Sequence, residues 1–129
     1  MNALRLLLVA CLSVALACVS ERTGPSLNPG VGNCQVPLAV IDSGHVVVAI
    51  NNFTFVQDTI VVPQGATVTW INCEPDETEP HTTTSDTAGV WGSPDLTTGA
   101  RFSHTFGAAG EFPYHCEPHP FMMGKVVVQ

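Results

Sequence analysis

The stretch that decides the fold and its chemistry covers residues 114–124 and reads YHCEPHPFMMG. It places Cys116, His119 and Met122 on one short loop, each three residues after the one before it. A second histidine, His81, lies far upstream at the start of a β-like run. Thiolate is a soft donor, imidazole binds copper in both oxidation states, and a thioether serves as a weak axial ligand. The set therefore predicts a copper site.

Zinc is the competing metal, because a Cys-x-x-His pair also occurs in zinc sites. Zinc needs four strong ligands, whereas this set is completed by one histidine and a thioether. Each of these residues also has a purely structural alternative. Cys116 would be a small buried hydrophobic residue, and Met122 would fill a gap in the core.

The chain from residue 34 onward lacks a useful apolar period of 3.6 residues, and period-two, β-branched runs recur instead. Short strands at this spacing predict an all-β fold, a sandwich or a barrel. Alternation of side chains across a strand puts Ala66, Val68 and Trp70 on one core face, and Val126 and Val128 on another. The predicted strands are Pro37–Ile41, His45–Ile50, Phe53–Val56, Thr59–Val62, Ala66–Asn72, His81–Ser85, Arg101–Phe106, Glu111–Cys116 and Gly124–Gln129.

The loop 116–122, followed by GKVVV at residues 124–128, resembles that of the cupredoxins, the type 1 blue copper proteins. It is most similar to the amicyanin and plastocyanin-like group, and the resemblance covers roughly residues 36–129. It implies a Greek-key β-sandwich that holds one type 1 copper ion. The implied ligands are His81, Cys116, His119 and Met122, with Met123 as the competing axial candidate.

One residue departs from the family pattern. The position after the first histidine ligand is often asparagine in cupredoxins, where it ties the two ligand loops together near the cysteine sulfur, and here it is Thr82. Hydrogen bonds around that sulfur tune the redox potential, so the potential is left open.

The resemblance implies a one-electron carrier that cycles between Cu(II) and Cu(I) and meets redox partners by transient docking near His119. The sequence contains no Ser-His-Asp set and no phosphate-binding loop, so we predict no enzyme activity. The alternative function is copper storage, delivery or tolerance, which more often comes with longer runs of methionine or histidine.

Composition sets the outer limits. The length of 129 residues predicts one domain, which we expect to be a monomer. The net charge of −7 argues against nucleic acid as a partner, because phosphate binding needs clustered lysine and arginine.

An acidic segment precedes His81 and contains Glu74, Asp76, Glu77 and Glu79. We favour a solvated loop for this segment, and the alternative is a docking patch for a basic redox partner.

The N-terminus predicts export. Residues 1–17 combine Arg5, an apolar run too short to span a bilayer, and a small-x-small cleavage site ending at Ala17. Cys18 would then be the first mature residue, which resembles a bacterial lipoprotein. We expect residues 18–33 to form a flexible tether or a short disordered N-terminus, and the domain to span residues 34–129. We expect a periplasmic or outer-surface location, with lipid anchoring left open.

The five cysteines divide by role. Cys11 leaves with the signal peptide, Cys18 is the lipid candidate and Cys116 is the copper ligand. Cys34 and Cys73 remain, and we predict a disulfide between them because disulfides persist in exported proteins.

The three remaining histidines read as structural. We expect His104 to be a core or half-buried neutral histidine, His115 to face away from the core and His45 to be exposed.

Overall fold

The computed structural model describes residue 34, residues 44–75 and residues 79–129. The predicted signal peptide, the tether and the strand Pro37–Ile41 lie outside the described residues, as do Asp76 and Glu77. Within the described ranges, no helix is long and apolar enough to cross a membrane.

The described part of the chain forms eight strands in two mixed sheets. One sheet has the order β2-β1-β4-β6 and the other the order β3-β8-β7-β5. The pairs β1–β4 and β3–β8 are parallel, and the other pairs are antiparallel. The all-β sandwich is confirmed. The strands are β1 (His45–Asn51), β2 (Thr54–Phe55), β3 (Thr59–Val62), β4 (Thr67–Asn72), β5 (Thr84–Ser85), β6 (Arg101–Thr105), β7 (Gly110–His115) and β8 (Met123–Val128).

Side-chain alternation builds the core as the sequence predicts. Val68 and Trp70 of β4 are fully buried, and Val126 and Val128 of β8 face them from the second sheet within one apolar cluster. The Trp70 ring stacks on Trp91, with 5.6 Å between the ring centroids. Burial of large apolar side chains such as these is the main favourable contribution to folding.

Two predicted strands are reduced to two residues each, and two others, β4 and β6, are one residue shorter than predicted. Phe53 lies in the turn between β1 and β2, because Asn52 and Phe53 both adopt positive φ angles, 52° and 53°. The run predicted over His81–Ser85 reduces to β5. The His81 N–H donates to the Leu96 carbonyl, and the His81 carbonyl accepts from the Leu96 N–H. His81 and Leu96 therefore form an isolated β-bridge outside the strands.

The sheets bring His81, Cys116 and His119 to one end of the sandwich. Strands β7 and β8 pair through His115 and Met123, so the intervening loop 116–122 closes a tight connection. The predicted disulfide is confirmed: Cys73, directly after β4, is bonded to Cys34.

Candidate metal centre

Three side chains that the sequence singles out converge at this end of the sandwich. The Cys116 sulfur lies 3.7 Å from Nδ1 of His81 and 3.6 Å from Nδ1 of His119. One ligand atom from each of the three residues falls within 4.8 Å of the others. Cys116 and His81 are fully buried, so the thiol and the first imidazole are shielded from water.

These distances fit a single first-row metal ion. Typical zinc bonds are about 2.3 Å to sulfur and about 2.0 Å to nitrogen. With a sulfur–metal–nitrogen angle near 120°, such bonds place the sulfur and nitrogen atoms about 3.7 Å apart. The observed separations agree with this spacing. The candidate donors are one thiol and two imidazoles, and a methionine lies on the same loop as the thiol. This set fits copper with a weak axial ligand better than it fits zinc.

Glu74 holds the ring of His81. Its Oε1 lies 3.3 Å from Nε2 of His81, which leaves Nδ1 facing the Cys116 sulfur. Burial lowers the pKa of His81, and the Glu74 carboxylate offsets only part of that effect. The imidazole is therefore neutral near pH 7, with Nε2–H donating to the carboxylate and Nδ1 available to a metal.

Thr82 connects the two ligand loops. Its hydroxyl oxygen accepts a hydrogen bond from the Glu117 N–H at 2.8 Å, and its own N–H points to the Cys116 sulfur at 3.4 Å. Threonine thus supplies the tie expected of asparagine, although it does so as an acceptor. The N–H that faces the sulfur stabilises negative charge there.

The turn of the ligand loop is fixed by its own backbone. The Cys116 N–H donates to the Met122 carbonyl at 3.1 Å, and the Met122 N–H donates to the His119 carbonyl at 2.8 Å. Met122 is 2% exposed and packs within the main core cluster, whereas Met123 is 67% exposed. Of these two methionines, Met122 is therefore the one that lies in the interior of the molecule.

His119 is the more accessible of the two histidines. Its side chain is 19% exposed, and its Nε2 lies 3.8 Å from a carboxylate oxygen of Glu79. Phe121 on the same loop is 68% exposed. The outer edge of the site therefore combines an imidazole, an exposed aromatic ring and a carboxylate.

The solvated-loop interpretation is wrong for Glu74, which is only 4% exposed. Its two carboxylate oxygens accept hydrogen bonds from the N–H groups of Asn52 and Phe53, and Oε1 also faces His81. A buried carboxylate needs such partners, because an unpaired buried charge is costly. Sequence reasoning missed this role, although the position of Glu74 two residues beyond a buried strand was a usable signal.

The other histidines lie away from the three converging donors. His104 is half-buried against Trp91, and the ring of His115 faces away from the core and bonds to Asp86, both as predicted. The prediction for His45 is wrong: it is half-buried, because its Nε2 bonds to the Thr69 hydroxyl at 2.8 Å.

Comparison with known families agrees with this geometry. The family described as copper binding proteins, plastocyanin/azurin family, matches residues 43–129. The chain belongs to this family. It is 36% identical over 127 residues to amicyanin from Paracoccus denitrificans, which covers 93% of this chain and 94% of amicyanin. The cupredoxin resemblance and copper as the cofactor are thereby confirmed, and the chain is a copper-binding protein rather than an enzyme.

Solved structures of cupredoxins resemble the fold of this plastocyanin/azurin family member. A purple cupredoxin from Nitrosopumilus maritimus superposes with a TM-score of 0.60 at 29% identity, over 65% of this chain and 99% of that chain. The reduced Cu(I) form of a variant amicyanin superposes with a TM-score of 0.59 at 39% identity, over 70% and 86% of the two chains.

Proposed function

We propose that this protein is an exported one-electron carrier in which His81, Cys116, His119 and Met122 hold one type 1 copper ion. The single observation that carries the proposal is the convergence of the Cys116 sulfur with the Nδ1 atoms of His81 and His119. Copper in such a site supplies a reversible step between Cu(II) and Cu(I).

The chain supports a site that changes little when an electron enters or leaves. His81 is fully buried and bonded to Glu74, and the loop from Cys116 to Met122 is closed by two backbone hydrogen bonds. A rigid frame around the donors favours fast electron transfer, because little of the surroundings must rearrange.

Met122 is our choice for the axial ligand. Its burial in the core beside the loop supports this choice, and the exposure of Met123 argues against the alternative. Replacement of Met122 by leucine should change the potential and the electron paramagnetic resonance spectrum of the Cu(II) protein. The matched variant Met123→Leu should leave both unchanged, and the opposite pattern would reverse the assignment.

Redox partners would dock around His119. The exposed apolar side chains of Phe121 and Met123 lie near it on the chain, and contacts of this kind suit brief encounters of small area. The side chain of Glu79 is 3.8 Å from His119 and Glu117 is exposed, so the rim carries negative charge. A partner with a basic rim would associate faster at low salt.

Removing the rim charge tests this docking surface. The double variant Glu79→Gln/Glu117→Gln should lose most of the salt dependence of electron transfer with a basic redox protein such as a cytochrome c. The control Glu111→Gln removes a carboxylate that pairs with Lys125 on β8. An equal loss of salt dependence in the control would place the docking surface elsewhere.

Electron transfer and copper storage predict different behaviour for the same ligands. A carrier should cycle repeatedly between its oxidised and reduced forms and keep its metal in the presence of a competing Cu(I) chelator. A storage or delivery protein should release the metal to the chelator and lose signal at each cycle. Spectroelectrochemistry with and without the chelator separates the two.

Export is proposed from the predicted signal sequence and supported by the Cys34–Cys73 disulfide, since disulfides persist in oxidising compartments. The mass of the mature protein tests the cleavage after Ala17. An unmodified Cys18 amine would favour a periplasmic protein without an anchor, and added acyl mass would favour a lipoprotein. Size-exclusion chromatography tests the expected monomer.

A further inference from the structure

The turn between β1 and β2, beside the metal centre, has a non-glycine residue at a position that favours glycine. Asn51 pairs with Thr54, which leaves Asn52 and Phe53 as a two-residue hairpin loop with positive φ at both positions. Turns of this kind favour Asn-Gly, because only glycine takes a positive φ without steric conflict. Phe53 therefore occupies a position where glycine would be easier to accommodate, and such strain is typical of functional sites.

Glu74 keeps the turn in this conformation. Its Oε2 accepts a hydrogen bond from the Asn52 N–H at 3.1 Å, and its Oε1 accepts one from the Phe53 N–H at 2.8 Å. The same Oε1 faces Nε2 of His81. One buried carboxylate thus connects the hairpin turn to the first histidine of the metal centre.

The side chain of Phe53 completes a second connection. Its ring lies edge-on to His81, with centroids 5.4 Å apart and an interplanar angle of 86°. It lies edge-on to His119 as well, at 5.0 Å and 87°. Among the described aromatic residues, Phe53 is the one whose ring contacts both histidines. Aromatic contacts of this geometry restrict the orientation of both partners.

We propose that Phe53 is a positioning residue that orients the ring of His119 relative to His81 and limits its movement during electron transfer. The Glu74 carboxylate and the left-handed turn hold Phe53 in place, and Phe53 in turn braces the more exposed of the two histidines. The inference rests on the proposed function, because the consequence for electron transfer requires bound copper. The effect on the His119 ring itself does not require copper.

The turn offers a matched pair of variants. Phe53→Gly creates the favoured Asn-Gly turn and removes only the ring, and Asn52→Gly relaxes the other turn position and keeps the ring. Both variants retain the two N–H groups that donate to Glu74. The fold should therefore survive in each, and the difference between them isolates the ring of Phe53.

Three measurements follow for these variants. In the metal-free protein, nuclear magnetic resonance relaxation should show a more mobile His119 ring in Phe53→Gly than in Asn52→Gly or the parent. In the copper protein, electron self-exchange should be about two- to tenfold slower in Phe53→Gly, the range expected for one aromatic contact. The electron paramagnetic resonance spectrum should shift in the same variant. Phe53→Leu keeps an apolar side chain without the ring and should behave like Phe53→Gly.

Parent-like ring mobility in both Phe53 variants would overturn the inference, as would an equal change in Asn52→Gly. If Phe53→Gly does not fold, Phe53→Leu decides the question by the same readouts. Failure of the parent to form a copper–thiolate band would contradict the proposed function, and the ring mobility of the metal-free protein would still test the role of Phe53.

Discussion

The hydroxyl oxygen of Thr82 and the backbone N–H of Glu117 form a 2.8 Å hydrogen bond that joins the two loops of the metal centre. Thr82 directly follows one histidine and Glu117 directly follows the cysteine, so this bond fixes the relative position of two donors. The resemblance to the cupredoxins leads us to expect asparagine at the position of Thr82. The structure shows that a shorter side chain reaches the same loop by accepting a hydrogen bond.

Thr82→Val should break this tie at nearly constant shape. The partly buried Glu117 N–H would lose its acceptor, and we expect a loss of about 1–2 kcal/mol in the free energy of unfolding. Hydrogen exchange at the Glu117 amide should accelerate. The control Thr59→Val makes the same chemical change at an exposed position on β3 and should leave that amide protected. Unchanged exchange in Thr82→Val would show that the tie is unimportant.

Glu74→Gln should destabilise the metal-free protein by about 1–3 kcal/mol. The amide keeps the shape of the side chain, but its NH2 group would face an N–H of the turn at Asn52 or Phe53 and leave a partly buried donor unpaired. Chemical denaturation measures the change. Glu117→Gln, at an exposed position, should stay within about 0.5 kcal/mol of the parent. Equal stabilities of the two variants would contradict the role given to Glu74.

Gly124→Ala should be poorly tolerated, because a methyl group at this position would overlap the ring of Tyr114 and lie 2.8 Å from its Cε1. Tyr114 is fully buried and cannot move aside, so we expect a cost of about 1–3 kcal/mol. Gly107→Ala is the matched control, since an added methyl there meets no atom within 4 Å. Thermal melts of the two variants should differ by several degrees, and similar melts would refute the packing argument.

The stability of the metal-free protein should depend on pH partly through His104. Burial against Trp91 and Phe106 lowers the pKa of His104 below 6.5, so the unfolded chain binds this proton more tightly than the folded one. The contribution is complete above about pH 6.5 and is lost as the pH falls through the folded pKa. His104→Gln should therefore lose less melting temperature between pH 7 and pH 5 than the parent. A parallel pH dependence in both proteins would contradict this.

The sequence predicts most of the strands and singles out three side chains that converge in the folded chain, because both depend on local patterns. Alternation along β4 places Val68 and Trp70 in the core, and the spacing of Cys116 and His119 identifies the ligand loop. Strand ends are harder to predict, because His81 bonds with Leu96 rather than with a strand beside it. The pattern of residues near His81 in the sequence gives no information about Leu96.

The surroundings of the donors are the part that the sequence does not provide. Phenylalanine is common in β-strands, so the sequence favours a strand at Phe53. Its position in the turn depends instead on a hydrogen bond to Glu74, which lies 21 residues away. Glu74 itself reads as one of several charged residues in an acidic segment. The partners of its carboxylate, Asn52, Phe53 and His81, meet only in the folded chain.

The most direct test of the account is the visible spectrum of the mature protein loaded with Cu(II). We predict the uptake of one equivalent of copper with an intense thiolate-to-copper band, which a mild reductant removes and reoxidation restores. Cys116→Ser should lose the band and remain folded, because the fully buried sulfur is replaced by a group of similar size. A colourless Cu(II) adduct, or a band that persists in Cys116→Ser, would contradict the central claim.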